Sequence, residues 1–218
     1  MPAIIAPEPS LPDARQRLLA AAEEVFADKG YDAATVRDIT RRAGVNIASI
    51  NYYFGDKERL YIETVKYAHT CATHADTFPF PPADAPPVVK LEAFVREMAR
   101  RMHAPARPTS MKLMMREMAD PGKAADVVVR EYIQPLAFAL RDILAELLPG
   151  LDPRQRLMIG FSVMGQCLFY RQNRPVAELI FGKDAVAALD ADAVAAHVVR
   201  FTLAAVGHAK PLAGKATP

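Results

Sequence analysis

Tryptophan is absent from the 218-residue chain, and cysteine occurs only twice, at Cys71 and Cys167. Two distant cysteines provide neither the disulfide framework of a small secreted domain nor a zinc ligand set. The five histidines are scattered, so no metal site and no cofactor are expected. Both cysteines are interpreted as small apolar residues, with a redox-sensing thiol as the alternative.

Long apolar runs are also missing. None approaches the roughly 20 residues that span a bilayer, and the Pro-rich N-terminus lacks the layout of a secretory signal. We therefore expect a cytoplasmic protein without a membrane partner. No Ser/His/Asp order, glycine-rich phosphate loop or carboxylate pair stands out, so the sequence does not predict an enzyme.

Charge is nearly balanced. The net charge is +2, and the segment from Asp13 to Asp76 has nine Lys/Arg against ten Asp/Glu. Any contact with DNA must therefore depend on where the charges lie and not on their sum. Sparse glycine with abundant Ala, Leu, Arg and Glu favours an all-α fold.

The chain divides at a proline-rich segment, residues 77–87, which holds five prolines and cannot continue a helix. We predict a flexible arm at 1–12, a DNA-binding domain at 13–76, this linker, a ligand-binding and dimerisation domain at 88–207, and a disordered tail at 208–218. Helical periodicity predicts helices throughout both domains, with a kink near Pro135.

Residues 35–54 have the pattern of a helix-turn-helix. Ala43, Gly44 and Val45 provide the small residue, the turn glycine and the apolar turn residue. Ile50 and Phe54 would hold the second helix against the first, leaving its other side free to enter a major groove.

The predicted DNA contacts lie on that free side and on the flanking helix ends. Thr35, Tyr53 and Lys57 are candidates for phosphate contacts, since helix N-termini and cations attract phosphate. The full predicted set is Thr35, Arg37, Asn46, Ala48, Ser49, Asn51, Tyr52, Tyr53 and Lys57. The alternative is a helical hairpin of a core with its arginines in solvent.

Residues 17–61 resemble the DNA-binding domain of TetR-family repressors. The match runs in order through A-x-x-x-F-x-x-x-G-Y (from Ala22), T-V-R-D-I (from Thr35), A-G-V and Y-F-G-D-K-E-x-L-Y (from Tyr53). The resemblance implies phosphate contacts by Thr35, Tyr53 and Lys57. Asn51 departs from the aromatic residue common at its place, and an amide facing a base would prefer adenine.

The C-terminal two-thirds of the chain resembles the CecR-like branch of that family. The residues concerned are REMADP (116–121), EYIQPL (131–136) and SVMGQCLFYRQNRP (162–175). This resemblance implies regulation of drug-sensitivity or efflux genes.

A methionine-rich stripe predicts a pocket for an apolar effector, because methionine adapts to varied apolar ligands. The alternative is ordinary core. The candidate lining residues are Phe94, Met98, Met102, Met111, Met114, Met115, Met118, Phe138, Phe161, Met164 and Tyr170.

Glycines inside a helix near 153–172 and an apolar stripe in the last helix predict a homodimer interface. Each interior glycine costs about 1 kcal/mol, which close helix packing can offset. The predicted interface residues are Gly160, Gly165, Val194, Val198, Phe201 and Ala205. The alternative is burial within their own domain.

The sequence thus predicts a ligand-responsive repressor that binds double-stranded DNA as a homodimer. Two recognition helices would read a pseudo-palindromic operator, and a small, mostly apolar effector would release it. Two rival hypotheses are a helical enzyme or carrier with a vestigial helix-turn-helix, and an interaction protein that docks through the proline-rich segment.

Overall fold

The computed structural model describes residues 13–73, 78–105 and 107–210. Every regular element in these ranges is helical, which confirms the all-α prediction. The predicted arm at 1–12, the residues 74–77 at the domain boundary and most of the predicted tail, 211–218, lie outside the described residues.

The helices follow one another along the chain with short connections. They are α1 (Ala14–Ala33), α2 (Val36–Ala43), α3 (Ala48–Tyr53), α4 (Lys57–Thr73), α5 (Pro87–His103), α6 (Pro108–Ala119), α7 (Ala125–Val128), a π-helical segment (Val129–Ile133), α8 (Gln134–Leu147), α9 (Pro153–Gln172), α10 (Arg174–Phe181), α11 (Lys183–Ala187) and α12 (Ala191–Ala205).

Two compact units form. The first unit contains α1 to α4 together with α6 and α7, and the second contains α5 and α8 to α12. The sequence division at residues 77–87 assigned α6 to the second domain. In the structure α6 packs on α1, and its buried side carries the apolar Leu113 and Met114 together with the polar Ser110 and Glu117.

The core of the first unit is built on α1. Leu18 and Phe26 are fully buried, as are Ile39 of α2, Ile50 of α3 and Leu60 of α4. Gly30 interrupts α1 with a φ of 76°, in the left-handed region that glycine tolerates. The break returns the chain towards α2.

The core of the second unit is built on α5, which packs against α8, α9 and α12. Leu91 and Phe94 of α5 are fully buried, with Val163 of α9 and Val198 of α12. The π-helical segment ends just before Pro135, which has no N–H to continue α-helical hydrogen bonding. This irregularity lies where the sequence predicted a kink.

Within the described ranges, no helix combines the length and the apolar character needed to cross a membrane.

Candidate nucleic-acid interface

The turn between α2 and α3 is fixed by local hydrogen bonds. Thr35 Oγ1 accepts the backbone N–H of Asp38 at 3.1 Å, which caps α2. Gly44 ends α2 with a φ of 62°, and the N–H of Val45 donates to the carbonyl of Thr40 at 3.1 Å. Asn46 Oδ1 then accepts the N–H of Ala48 at 2.9 Å at the start of α3. These short-range contacts set the angle at which α3 leaves α2.

One side of α3 is buried and the other is free. Ile50 and Phe54 are buried four residues apart, and Arg15 lies over the Phe54 ring at 5.4 Å. On the opposite side Tyr52 is 83% exposed. Of the other predicted base-facing residues, Asn46, Ala48 and Asn51 are exposed and Ser49 is half-buried. The free side is therefore small and polar apart from one aromatic ring.

The arginines of α2 differ in their partners. Arg41 donates to Asp38 at 2.9 Å, and Arg42 pairs with Glu24. Asp38 also accepts from Lys29 at 2.7 Å, and this hydrogen bond holds the pKa of its carboxyl below the ordinary value. Arg37 is exposed and has no carboxylate partner among the described residues. Arg37 is thus the α2 arginine whose charge no described residue neutralises.

Lys57 lies at the first position of α4, where the helix dipole favours anions. Its Nζ lies 4.4 Å from the centre of the Tyr31 ring and donates to the carbonyl of Asp32 at 3.4 Å. Neither contact neutralises the ammonium. Beside it, the rings of Tyr52 and Tyr53 meet edge to face at 4.8 Å, which orients the half-buried Tyr53.

Two further residues on this surface were not predicted. Arg17 of α1 is exposed, its guanidinium lies near the Gly44 turn, and no described carboxylate pairs with it. Ile47 is 49% exposed between Asn46 and Ala48. An exposed isoleucine within a polar segment is a sequence signal that could have drawn attention to it. Arg17 offered none, because its position near the turn depends on how α1 packs.

Helix α6 is fastened to α1 and α4 by polar contacts. Glu23 is fully buried; Ser110 donates to it, and Arg107 lies 3.5 Å from its second oxygen. Arg107 also donates to the Tyr67 hydroxyl at 3.1 Å. These residues form what we call the Glu23 cluster: Glu23, Tyr67, Arg107 and Ser110.

A second fastening lies at the other end of α6. Tyr61 of α4 donates to Glu117 at 2.6 Å, and burial together with this carboxylate raises the pKa of the phenol. The Arg116 side chain covers Gly30 so closely that a β-carbon there would overlap it. A movement of α6 within this unit therefore cannot leave α1 and α4 unaffected.

The predicted pocket residues are divided between the two units. Met111, Met114, Met115 and Met118 belong to α6 in the first unit, and the remaining seven belong to the second. Phe94 and Met98 are core residues, whereas Phe138 and Phe161 are exposed. Phe161 and Met164 line a groove of about 400 Å³ between α8 and α9, and Tyr170 lines a different cavity. The predicted set thus does not line one common cavity of the second unit, because its members occupy different faces of their helices.

The predicted dimer residues also separate. Val194 and Val198 are buried in the core of their own unit, so they are corrected to core residues: the buried side of α12 faces α5 and α9. Gly165, Phe201 and Ala205 are exposed. Gly160 packs closely on Leu144, since a β-carbon placed on Gly160 would lie 3.6 Å from the Leu144 side chain.

An apolar stripe runs along the outer side of α9. It consists of Leu157, Met158, Phe161 and Phe169, of which Phe161 is 69% exposed. The exposed faces of monomeric proteins rarely carry so many large apolar side chains together. Cys167 lies on the inner side, where burial raises its pKa to about 11, so its thiol stays protonated at neutral pH.

Within the described residues no group of three or more potential metal ligands comes together. The exposed chemistry of the first unit is a polar helix face with unneutralised cations around it, and that combination suits the phosphates and base edges of DNA.

Comparisons with known proteins agree with this description. Residues 18–64 match the family of bacterial regulatory proteins named tetR, and residues 87–206 match the C-terminal domain of the HTH-type transcriptional dual regulator CecR. CecR of Shigella flexneri is 30% identical over 173 residues, which cover 74% of this chain and 77% of that protein. The HTH-type transcriptional regulator BetI of Rhizobium meliloti is 29% identical over 187 residues, covering 86% and 90%.

A solved structure has the same fold. The crystal structure of AibR in complex with isovaleryl coenzyme A and operator DNA covers 87% of this chain and 97% of its own, with a TM-score of 0.56 and 16% identity. The helix-turn-helix, the second unit and these matches together establish that the chain belongs to the TetR family of DNA-binding, ligand-responsive transcriptional regulators, in the branch with a CecR-type C-terminal domain.

Proposed function

We propose that this protein is a repressor that binds a pseudo-palindromic operator as a homodimer and leaves it when a small, mostly apolar effector binds. The observation that carries the proposal is the free side of α3, bordered by the unneutralised charges of Arg37 and Lys57. Acting on chromosomal DNA, the protein would work in the cytoplasm.

Phosphate contacts would position the dimer. Thr35 at the start of α2, Lys57 at the start of α4 and the Tyr53 hydroxyl are the proposed contacts, with Arg37 beside them. We add Arg17, whose guanidinium lies near the Gly44 turn. These contacts contribute affinity without sequence preference.

Base contacts would give sequence preference. Asn46, Ala48, Ser49, Asn51 and Tyr52 line the start and the free side of α3. Asn51 can donate to and accept from adenine, and the exposed Ile47 side chain suits a thymine methyl group.

Two features support a homodimer: the short length of the recognition helix α3 and the exposed apolar surface of α9. A six-residue helix contacts few base pairs, so two-fold proteins read paired half-sites. The outer stripe of α9, with Phe201 and Ala205 of α12, is the proposed interface. Burial of this stripe against its two-fold copy would remove its apolar surface from water.

Release would act through α6. Because α6 is fastened to α1 and α4 by the Glu23 cluster and by Tyr61–Glu117, an effector that shifts α6 would also shift the helices that carry α3. An effector that binds the shifted state more tightly by a few kcal/mol would empty the operator.

A gel-shift titration with DNA from upstream of the protein's own gene tests the proposal. At about 150 mM salt with competitor DNA, we expect a tight shift that Lys57→Ala with Tyr53→Phe abolishes. Transcription in vitro from the same DNA should fall as protein is added. Because the relative CecR is named a dual regulator, a rise in transcription would replace repression by activation at that promoter.

The division of roles is tested by two single variants. Lys57→Ala should weaken binding to all sequences and lower the salt slope by about 0.9 per protomer. Tyr52→Ala should change the preferred sequence while the salt slope stays the same. Equal behaviour of the two variants would contradict the assignment.

A further inference from the structure

An apolar cavity that is partly open to solvent lies in the second unit, apart from the α8–α9 groove. The cavity measures about 340 Å³ and lies between α9, α10, α11 and the end of α5. Phe169, Tyr170 and Phe181 supply aromatic rings, and Val186 and Leu189 supply aliphatic surface. Protein pockets for small ligands measure about 300–1,000 Å³ and are mostly apolar, so this one suits a ligand of one or two rings.

The charged groups at this cavity are already engaged. Arg174 donates to Glu178 at 2.9 Å, and the two ring nitrogens of His103 lie 2.9 and 3.1 Å from the carbonyl oxygens of Ala99 and Leu189. The rest of the lining is mostly apolar, so an ionised ligand would lose more hydration than the cavity returns. The cavity favours a neutral ligand.

Two polar groups remain available for such a ligand. Asn173 uses its amide nitrogen on the carbonyl of Phe169 at 3.2 Å. For its side-chain oxygen, and for the Tyr170 hydroxyl, the described part of the chain contains no hydrogen-bond partner. One acceptor and one hydroxyl suit a single hydroxyl or amine group on an otherwise apolar molecule.

We propose that this cavity, and not the methionine stripe, is the effector site, and that it binds a small neutral aromatic or alicyclic molecule with one hydroxyl or amine group. The binding of such a ligand is inferred from the cavity alone, whereas the role of the cavity in releasing operator DNA rests on the proposed function.

The end of α5 contributes to the cavity and precedes α6 in the chain. Arg171, next to Tyr170 on α9, donates to the carbonyls of Arg101 and Met102 at 3.1 and 3.0 Å. His103 completes α5, and only three residues separate it from Arg107 of the Glu23 cluster. A ligand that displaces the Leu189 carbonyl from His103 would thus act on the end of α5, the helix that precedes α6 in the chain.

Binding is tested with a neutral probe and its charged analogue. N-phenylnaphthylamine is an aromatic amine whose fluorescence rises in apolar sites, and anilinonaphthalenesulfonate adds an anionic group to the same skeleton. We expect the full-length protein to bind the neutral probe at least about tenfold more tightly than the sulfonate. Equal or tighter binding of the sulfonate would overturn the neutral class.

The location is tested by filling the cavity. Ala177→Phe puts a ring into it and should raise the dissociation constant of the neutral probe at least about tenfold, whereas Leu179→Phe on the solvent side of α10 should not change it. Unchanged binding by a folded Ala177→Phe protein would overturn the site. Ala185→Phe, from α11, makes the same test if the first variant does not fold.

The effector role has its own readout. The saturating neutral probe should weaken DNA binding by the native protein and leave DNA binding by Ala177→Phe unchanged. DNA that stays bound to the probe-loaded native protein would overturn the role of the cavity as effector site. Failure of the repressor proposal is distinguishable from failure of the effector site. In that case the native protein would fail to bind DNA or to repress transcription even when no probe is present.

Discussion

Helices α1 and α9 are both 20 residues long, yet they differ in how many of their residues are buried. α1 buries nine residues, including Leu18 and Phe26, and α9 buries only Val163 and Cys167. Four large apolar side chains of α9, the stripe of Leu157, Met158, Phe161 and Phe169, are exposed on its outer side. Exposed apolar patches of this kind mark interaction sites, which supports the proposal that a second copy of the chain covers the outer side of α9.

The exposed surfaces of the two units also differ in their chemistry. The first unit exposes cations and polar groups around α3, which suits a polyanion, while the second exposes an apolar stripe, which suits a second copy of itself. The four predictions that follow test this difference between the two units.

The largest effect is expected for a charge on the α9 stripe. Phe161→Arg places a cation in the proposed interface twice, once from each protomer, at about 2 kcal/mol or more each. The dimer dissociation constant should rise at least about a thousandfold, as measured by sedimentation equilibrium. Val89→Arg, at an exposed apolar position of α5, is the control; dimers that survive Phe161→Arg would place the interface elsewhere.

Next comes the buried carboxylate of the first unit. Glu23→Ala removes the acceptor of Ser110 and the counter-charge of Arg107, so the free energy of unfolding should fall by about 3 kcal/mol. Denaturant titration measures it. The matched control is Lys112→Ala, which removes an exposed ion pair with Asp28 and should leave the denaturation midpoint unchanged. An equal loss of unfolding free energy in both variants would contradict the stabilising role of the buried Glu23 contacts.

A smaller effect separates two arginines one turn apart on α2. Arg37 has no counter-charge in the part of the chain that the structure describes, and Arg41 is paired with Asp38. Arg37→Ala should therefore lower the salt slope of DNA binding by about 0.9 per protomer, and Arg41→Ala by clearly less. Gel shifts at several salt concentrations give both slopes, and identical slopes would mean that pairing within the free protein does not govern phosphate contact.

The smallest effect concerns acid stability of the second unit. Hydrogen bonds from Arg100 and then Arg101 hold the pKa of Glu97 below its ordinary value. The stabilisation is therefore present above the ordinary carboxyl pKa and is lost as the pH falls through the lowered value.

Glu97→Gln should cost about 1 kcal/mol near pH 7, and the difference from the native protein should shrink towards pH 3. Urea midpoints measured across that range test this. Glu92→Gln, at an exposed position of the same helix, should show no such trend. A constant difference for Glu97→Gln would mean that its charge does not contribute.

The helix-turn-helix was readable from sequence because its determinants are local. The Thr35 cap, the left-handed Gly44 and the four-residue spacing of Ile50 and Phe54 each act within a few residues. The family motifs cover the same segment. Arg17 was missed because its position near the turn depends on how α1 packs, and Ile47 because an apolar residue within a polar segment falls outside the helical spacing rules.

The second unit was predicted less completely. The apolar stripe of α12 was visible, but periodicity does not say whether a stripe faces its own core or a partner, and Val194 and Val198 face their own core. The methionines of α6 formed a stripe too, yet that helix packs in the first unit, on α1.

The sequence by itself determined the helices, their caps, the DNA-reading motif and the family, because these depend on residues close together in the chain. The tertiary structure decided which arginines of α2 are neutralised, where α6 packs, which side of α9 is left uncovered and where a cavity opens. Those features depend on side chains brought together from distant positions, and their physical cause is the competition among helix faces for the limited core of each unit.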